Sequence, residues 1–168
     1  MTLSMYQASI PVFVRALGNL SAILDKAAAQ AEARKIDPPV FINARLAPDM
    51  FPLSRQVQSA SDSAKGCAAR LAGVEVPRYE DIETTFPELR ARIAKTVAFM
   101  QGVKPAQIDG SEDRTITLKL RGREVNYSGR DYLLNFVLPN FFFHATTAYA
   151  ILRHNGLEIG KTDYLGNF

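Results

Sequence analysis

The strongest constraint on how this chain can fold lies in its first 34 residues. Apolar side chains recur there at Tyr6, Ile10, Phe13, Leu17, Leu20, Leu24, Ala28 and Ala31. Steps of three and four keep one face of a helix apolar, whereas a half-buried strand needs strict alternation. The spacing predicts an amphipathic helix from about Met5 to Arg34, with Pro11 bending its first turns because proline has no amide hydrogen to give. Asp37-Pro38-Pro39 is expected to stop helical structure, since a residue before proline is pushed out of the helical region. A helix with a single apolar stripe must bury it against partners, so the remaining chain has to supply them.

It offers three more stripes. A second helix is expected after Asp49 as N-cap, with Pro52 in its first turn, core positions at Leu53, Val57, Ala60, Ala64, Ala68 and Leu71, and Gly73 as C-cap. Thr85 and Glu88 have capping-box spacing around Phe86-Pro87 and introduce a third helix through Leu89, Ile93, Val97 and Met100, ending near Gly102. Between Arg114 and Tyr127 the period falls to two: Ile116, Leu118 and Leu120 alternate with polar neighbours, and Val125 and Tyr127 follow a turn at Gly122. That pattern predicts a β-hairpin. Ser128 and Asp131 then open a last helix through Leu133, Val137, Phe141, Ala148 and Ile151 to Asn155, capped by Gly156. The expected architecture is one mainly α domain over residues 1–168, a four-helix bundle with a small β-hairpin ahead of the last helix.

Composition narrows the function. With 168 residues, 47% of them hydrophobic and 22% charged, the chain can bury a core without cross-links. The lone cysteine, Cys67, stands beside Gly66, Ala68 and Ala69 and reads as core filling; it excludes an internal disulfide and a cysteine-rich zinc site. The net charge of +3 is spread among acidic residues, and the densest basic cluster, Arg121-Gly122-Arg123, straddles the hairpin turn, so no nucleic-acid partner is expected. Apolar runs stop well short of bilayer length and Met1-Thr2-Leu3-Ser4 does not begin a leader, which points away from membranes and toward the cytoplasm.

The residues with chemical potential cluster late. Counting from Leu133 in steps of three and four gives Val137, Asn140, His144, Ala148 and Ile151, so Asn140 and His144 should face the bundle interior one turn apart. An i, i+4 pair inside a bundle is how a helix presents two ligands to one metal, but the amide oxygen of Asn140 suits harder ions than zinc or nickel. Gln56, at the edge of the second helix's core face, can approach the same cavity, while Gln58 is expected to point away. The plainer reading is a structural network, in which Asn140 and His144 satisfy each other or the carbonyl of Asn135, deprived of its donor by Pro139. Phe136, Phe141, Phe142 and Phe143 cover more than one helical face and should pack partly on the hairpin or at a dimer interface. His154 suits the helix C-terminus, and Glu80, Asp81 and Glu88 suit helix starts. No Ser-His-Asp order, phosphate-binding loop or dinucleotide glycine pattern is present.

Three strings carry a family resemblance: the run from Leu138 to Gly156, that from Gly160 to Gly166, and that from Ala47 to Val57. Together they closely resemble the domain-of-unknown-function 1993 family, over essentially the whole chain. That family is similar to DinB/YfiT-like bundles, in which a histidine on the second helix and a His-x-x-x-His pair on the last bind a divalent metal. Carried onto this sequence, the resemblance matches His144 to a ligand, sets Asn140 where the first histidine of the pair would stand, and sets Gln56 at the second-helix position. It implies at most a weakly bound divalent metal at His144. The expected function is therefore a small-molecule-binding or scaffold domain with Gln56, Asn140 and His144 lining a polar pocket. The alternative is a divergent metal-dependent enzyme of thiol-transferase or hydrolase type. A homodimer is compatible with either.

Overall fold

The computed structural model describes residues 3–120 and 122–166. In chain order its elements are α1 (Ile10–Ala33), α2 (Pro38–Ile42), α3 (Leu53–Ala72), α4 (Phe86–Gly102), α5 (Pro105–Ile108), β1 (Thr115–Leu120), β2 (Arg123–Ser128), α6 (Gly129–Asp131), a π-helical segment (Tyr132–Val137), α7 (Leu138–His154) and α8 (Lys161–Leu165). The four long helices close a ring: α1 and α3 each pack on both α4 and α7. The fold is mainly helical, with one antiparallel hairpin ahead of the last helices, as the periodicity requires.

Most of the α1 stripe is buried as read, with Phe13, Leu17, Leu24 and Ala31 fully inside, whereas Tyr6 and Ala28 are half-buried and Ala27 takes the inward place expected of Ala28. Its start differs. The residues before Ile10 wind as turns, and Pro11 occupies the first helical turn, where an amide hydrogen has no intrahelical acceptor. Proline thus begins the helix instead of bending it. α1 has ended before Asp37-Pro38-Pro39, with Asp37 extended as expected, and the same chemistry then opens α2, unexpected from the spacing, on the two prolines. α3 begins at Leu53 with the extended Pro52 in the capping position, later than Asp49, and ends on Gly73 at φ 70°, a conformation that favours glycine. The α4 capping box is complete: Glu88 donates its backbone N–H to Thr85 Oγ1 at 3.3 Å and accepts from the Thr85 N–H at 3.0 Å.

β1 and β2 pair Ile116 with Tyr127 and Leu118 with Val125 around Gly122, at φ 78°. Ile116 and Leu118 are buried, and the Tyr127 ring lies 6.4 Å from Tyr132 and 5.7 Å from Phe136. The hairpin is thereby fastened to the start of the last helical run. That run is continuous from Gly129 to His154 but widens between Tyr132 and Val137, where the Leu138 N–H reaches back five residues to the Leu133 carbonyl. Pro139 follows directly, and a wider turn just ahead of a proline accommodates a ladder that has lost one donor. Among the described residues no helix is long and apolar enough to cross a membrane.

Candidate functional site

The π-helical segment decides where the polar residues of α7 point. A π turn carries an extra residue, so a stripe counted at the α-helical period from Leu133 runs out of register beyond it. The fully buried line on α7 is Phe141, Ala148, Ile151 and Leu152, with Ala145 close behind. Asn140 and His144 stand one residue off that line, half-buried on the edge facing α3. The expectation that both lie largely buried and answer each other is corrected accordingly: each bonds across the seam to α3.

Asn140 donates to Ser63 Oγ at 2.7 Å, and Ser63 in turn donates to the Ser59 carbonyl at 2.8 Å. One turn further along, His144 Nδ1 lies 2.7 Å from Gln56 Oε1. Gln56 is buried and donates its amide nitrogen to the Phe51 carbonyl at 3.1 Å, which leaves its oxygen as the acceptor toward the ring. His144 Nδ1 therefore carries the hydrogen, and in the neutral ring Nε2 bears the lone pair. Gln58, expected to point away, is buried instead and donates to Glu83 Oε2 at 2.9 Å.

Burial, and secondarily the positive charge of Arg55, hold the His144 pKa below the ordinary imidazole range. The unfolded chain then binds a proton near pH 6.5 that the folded chain resists, so stability falls as the pH drops below about 6.5 toward the depressed value. His144→Ala should remove that slope. It should also cost about 2 kcal/mol at pH 7, because the buried Gln56 oxygen loses its donor and a small cavity remains. Urea melts from pH 7.5 to 5 compare the two proteins. His154→Ala, at an exposed position on the last turn of α7, should cost no more than about 1 kcal/mol. A neutral His144→Ala beside a costly His154→Ala would remove His144 from the seam.

Beside Asn140 the seam opens into a groove of about 280 Å³ between α3, the π-helical segment and β1. Its walls include Ser63, Arg70, Lys119, Tyr132 and Asn140, but neither His144 nor Gln56. Arg70 and Tyr132 carried no signal in the periodicity, because only the hairpin's return brings them to one wall. A second polar cluster adjoins this groove through Asp62, where Arg92 meets Asp62, Asp81 and Glu83. Glu80 enters that cluster only through its carbonyl, and Glu88 is occupied by the α4 cap.

The donors do not fit the metal centre of a three-histidine bundle. The chain has two histidines, and His154 is exposed at the end of α7. Gln56 gives its oxygen to the His144 ring, Asn140 bonds Ser63, and among the described residues no three His, Cys, Asp or Glu side chains are grouped to hold an ion.

A sequence model of the family described as domain of unknown function (DUF1993) matches residues 5–165. The chain belongs to the DUF1993 family. Its fold is similar to the crystal structure of a DinB family member protein from Shewanella denitrificans, with a TM-score of 0.87 and 43% identity, covering 97% of this chain and 92% of that one. Among curated proteins no match is found. The Leu138–Gly156 run that carried the resemblance supplies both seam residues of α7, and this DUF1993 chain has the bundle that the resemblance implied.

Proposed function

We propose that this protein is a small-molecule-binding bundle domain whose ligand lies along the α3–α7 seam, in the polar region marked by Gln56, Asn140 and His144. The observation that supports this reading is the groove beside Asn140, whose walls retain unused hydrogen-bonding capacity. Asn140 uses one amide hydrogen on Ser63 and keeps the other together with its oxygen, and Tyr132 accepts one bond at its hydroxyl while its own proton has no acceptor among the described residues. Grooves with a few convergent polar groups over an apolar floor are where small ligands bind. A homodimer acting in the cytoplasm belongs to the same reading, with exposed Leu134 and Phe143 as candidate contacts. Screening ¹H–¹⁵N spectra against mixtures of small polar compounds should shift the Asn140 side-chain amide and its neighbours across the seam. Ligands that perturb only the apolar face between α1 and α8 would place the site elsewhere.

A divergent metal-dependent enzyme is the second reading, favoured by one feature, the neutral His144 ring with a lone pair on Nε2. With amide groups in place of imidazoles around it, zinc and nickel should bind weakly. Calorimetry on chelator-treated, untagged protein should find no nanomolar site, and nanomolar binding that disappears in His144→Ala would replace the first reading with this one.

A further inference from the structure

Arg70 lies against the Tyr132 ring, 6.0 Å from its centroid, but has no carboxylate partner among the described residues. Nη1 donates to Tyr132 Oη at 3.0 Å, and the guanidinium folds back along α3 over Gly66, where a Cβ would come within 2.5 Å of Nη1. Among the described residues it makes no ion pair, although arginines 55, 90 and 92 all do. It is half-buried, and it lines both the 280 Å³ groove beside Asn140 and an adjoining groove of about 590 Å³ that runs toward Tyr79. A half-buried guanidinium without a carboxylate partner is open to an anionic one, and its planar fork of donors matches an oxyanion in two-point contact.

The rest of the wall has the same polarity. Tyr132 is 1% exposed, and burial pushes its phenol up to about 12, so it stays protonated with an O–H that lacks an acceptor. Asn140 adds an unused amide hydrogen and Lys119 an ammonium from β1. Asp62 is the carboxylate in this wall, and its Oδ1 is already engaged by Lys65 at 2.5 Å and Arg92 at 2.8 Å. Donors thus outnumber free acceptors, which selects a negatively charged ligand over a neutral or cationic one.

We propose that Arg70, with Tyr132 and Asn140, forms a binding site for a small molecule bearing a terminal phosphate or carboxylate, the remainder of which lies in the adjoining groove toward Tyr79. This rests on the small-molecule reading above and names the chemistry of its ligand. The oxyanion sits on the free edge of the Arg70 guanidinium and accepts from Tyr132 Oη. Gly66 is part of the device, because only a residue without a side chain lets the guanidinium lie where both grooves meet.

The test titrates the full-length protein with inorganic phosphate and, separately, with malonate, at constant ionic strength set with sodium chloride, following by NMR the arginine Nε–H signals and, in every variant, the Asn140 side-chain amide. Saturable movement of the Arg70 signal is expected with at least one probe; phosphate alone identifies a phosphoryl ligand, and malonate alone or with phosphate a carboxylate-tolerant one. Arg70→Met should weaken binding about tenfold or more, and Tyr132→Phe about threefold or more. Gly66→Ala keeps the charge and favours the helix, yet its methyl displaces Nη1, so it should weaken binding without lowering the melting temperature. No saturation with either probe, or unchanged affinity in both Arg70→Met and Gly66→Ala, overturns the proposal. Glucose in the same experiment separates the two levels: binding of the neutral sugar at Asn140 without anion binding removes the anion assignment alone, and binding of none of the three probes removes the anion assignment and counts against the groove itself.

Discussion

Arg92→Met should lower the free energy of unfolding by about 3 kcal/mol, although the residue itself takes part in neither the His144–Gln56 contact nor the groove beside Asn140. Its side chain is 1% exposed. Nη1 donates to the Glu80 carbonyl at 2.9 Å and to Glu83 Oε1 at 3.0 Å, and Nη2 reaches Asp62 Oδ1 at 2.8 Å and Asp81 Oδ1 at 3.0 Å. The guanidinium therefore ties the connection between α3 and α4 to both helices, with the Tyr79 ring 5.5 Å beneath it. Methionine retains much of the volume and removes the charge, leaving three carboxylates facing one another with Lys65 and Arg55 as their remaining cations. Breaking a buried ion network in this way costs about 3–5 kcal/mol. The lower end applies because Asp62 and Asp81 are 40% and 35% exposed and regain water when the arginine goes. Arg90→Met removes an ion pair whose partners are 44% and 50% exposed and should cost well under about 1 kcal/mol. Urea melts of the two variants give the comparison, and equal losses would show that the Arg92 cluster is solvated surface.

Neither that cluster nor the groove is legible in the sequence, and the reasons are physical. Arg92 and Thr96 fall on the inward stripe of α4 with Leu89 and Ile93, and both are buried. A charge on such a stripe demands partners, but those partners come from a connecting segment with no period, so spacing reveals the demand and not its answer. Thr96 is answered by Ser61 on α3 at 2.6 Å, another contact that only the packed bundle defines. The stripes themselves, the capping box at Thr85 and Glu88, Gly73, and the hairpin about Gly122 depend on local geometry and are read correctly from residues a few positions apart. The prolines mislead where one residue has two local uses, since Pro11, Pro38 and Pro39 open helices as readily as proline breaks them. At the site, Gln56, Asn140 and His144 are recovered as neighbours of one seam. Their pairing is not, because the π-helical segment shifts the register between Leu133 and Phe141.

That register makes Phe141→Ala the most costly substitution expected here, at about 4 kcal/mol. Phe141 is completely buried, with the Phe13 ring of α1 edge-on at 4.9 Å and Phe142 at 5.2 Å, so the ring fills the contact between α1 and α7. Removing it opens a cavity that α1 cannot close without leaving α4, and buried Phe→Ala changes cost about 3–5 kcal/mol. Each edge contact adds about 0.5–1.5 kcal/mol beyond area alone, which keeps the value in the upper part of that range. Phe143, two residues on, is 54% exposed and touches the edge of the His144 ring at 5.2 Å, so Phe143→Ala should cost about 1 kcal/mol or less. The sequence spacing puts Phe141 on the stripe and also turns Asn140 and His144 inward; the shifted register keeps Phe141 on the interior line and moves the two polar residues to its edge. A Phe141→Ala loss no larger than that of Phe143→Ala in urea melts would therefore contradict the shifted register, and would return Asn140 and His144 from the α3 seam to the centre of the bundle.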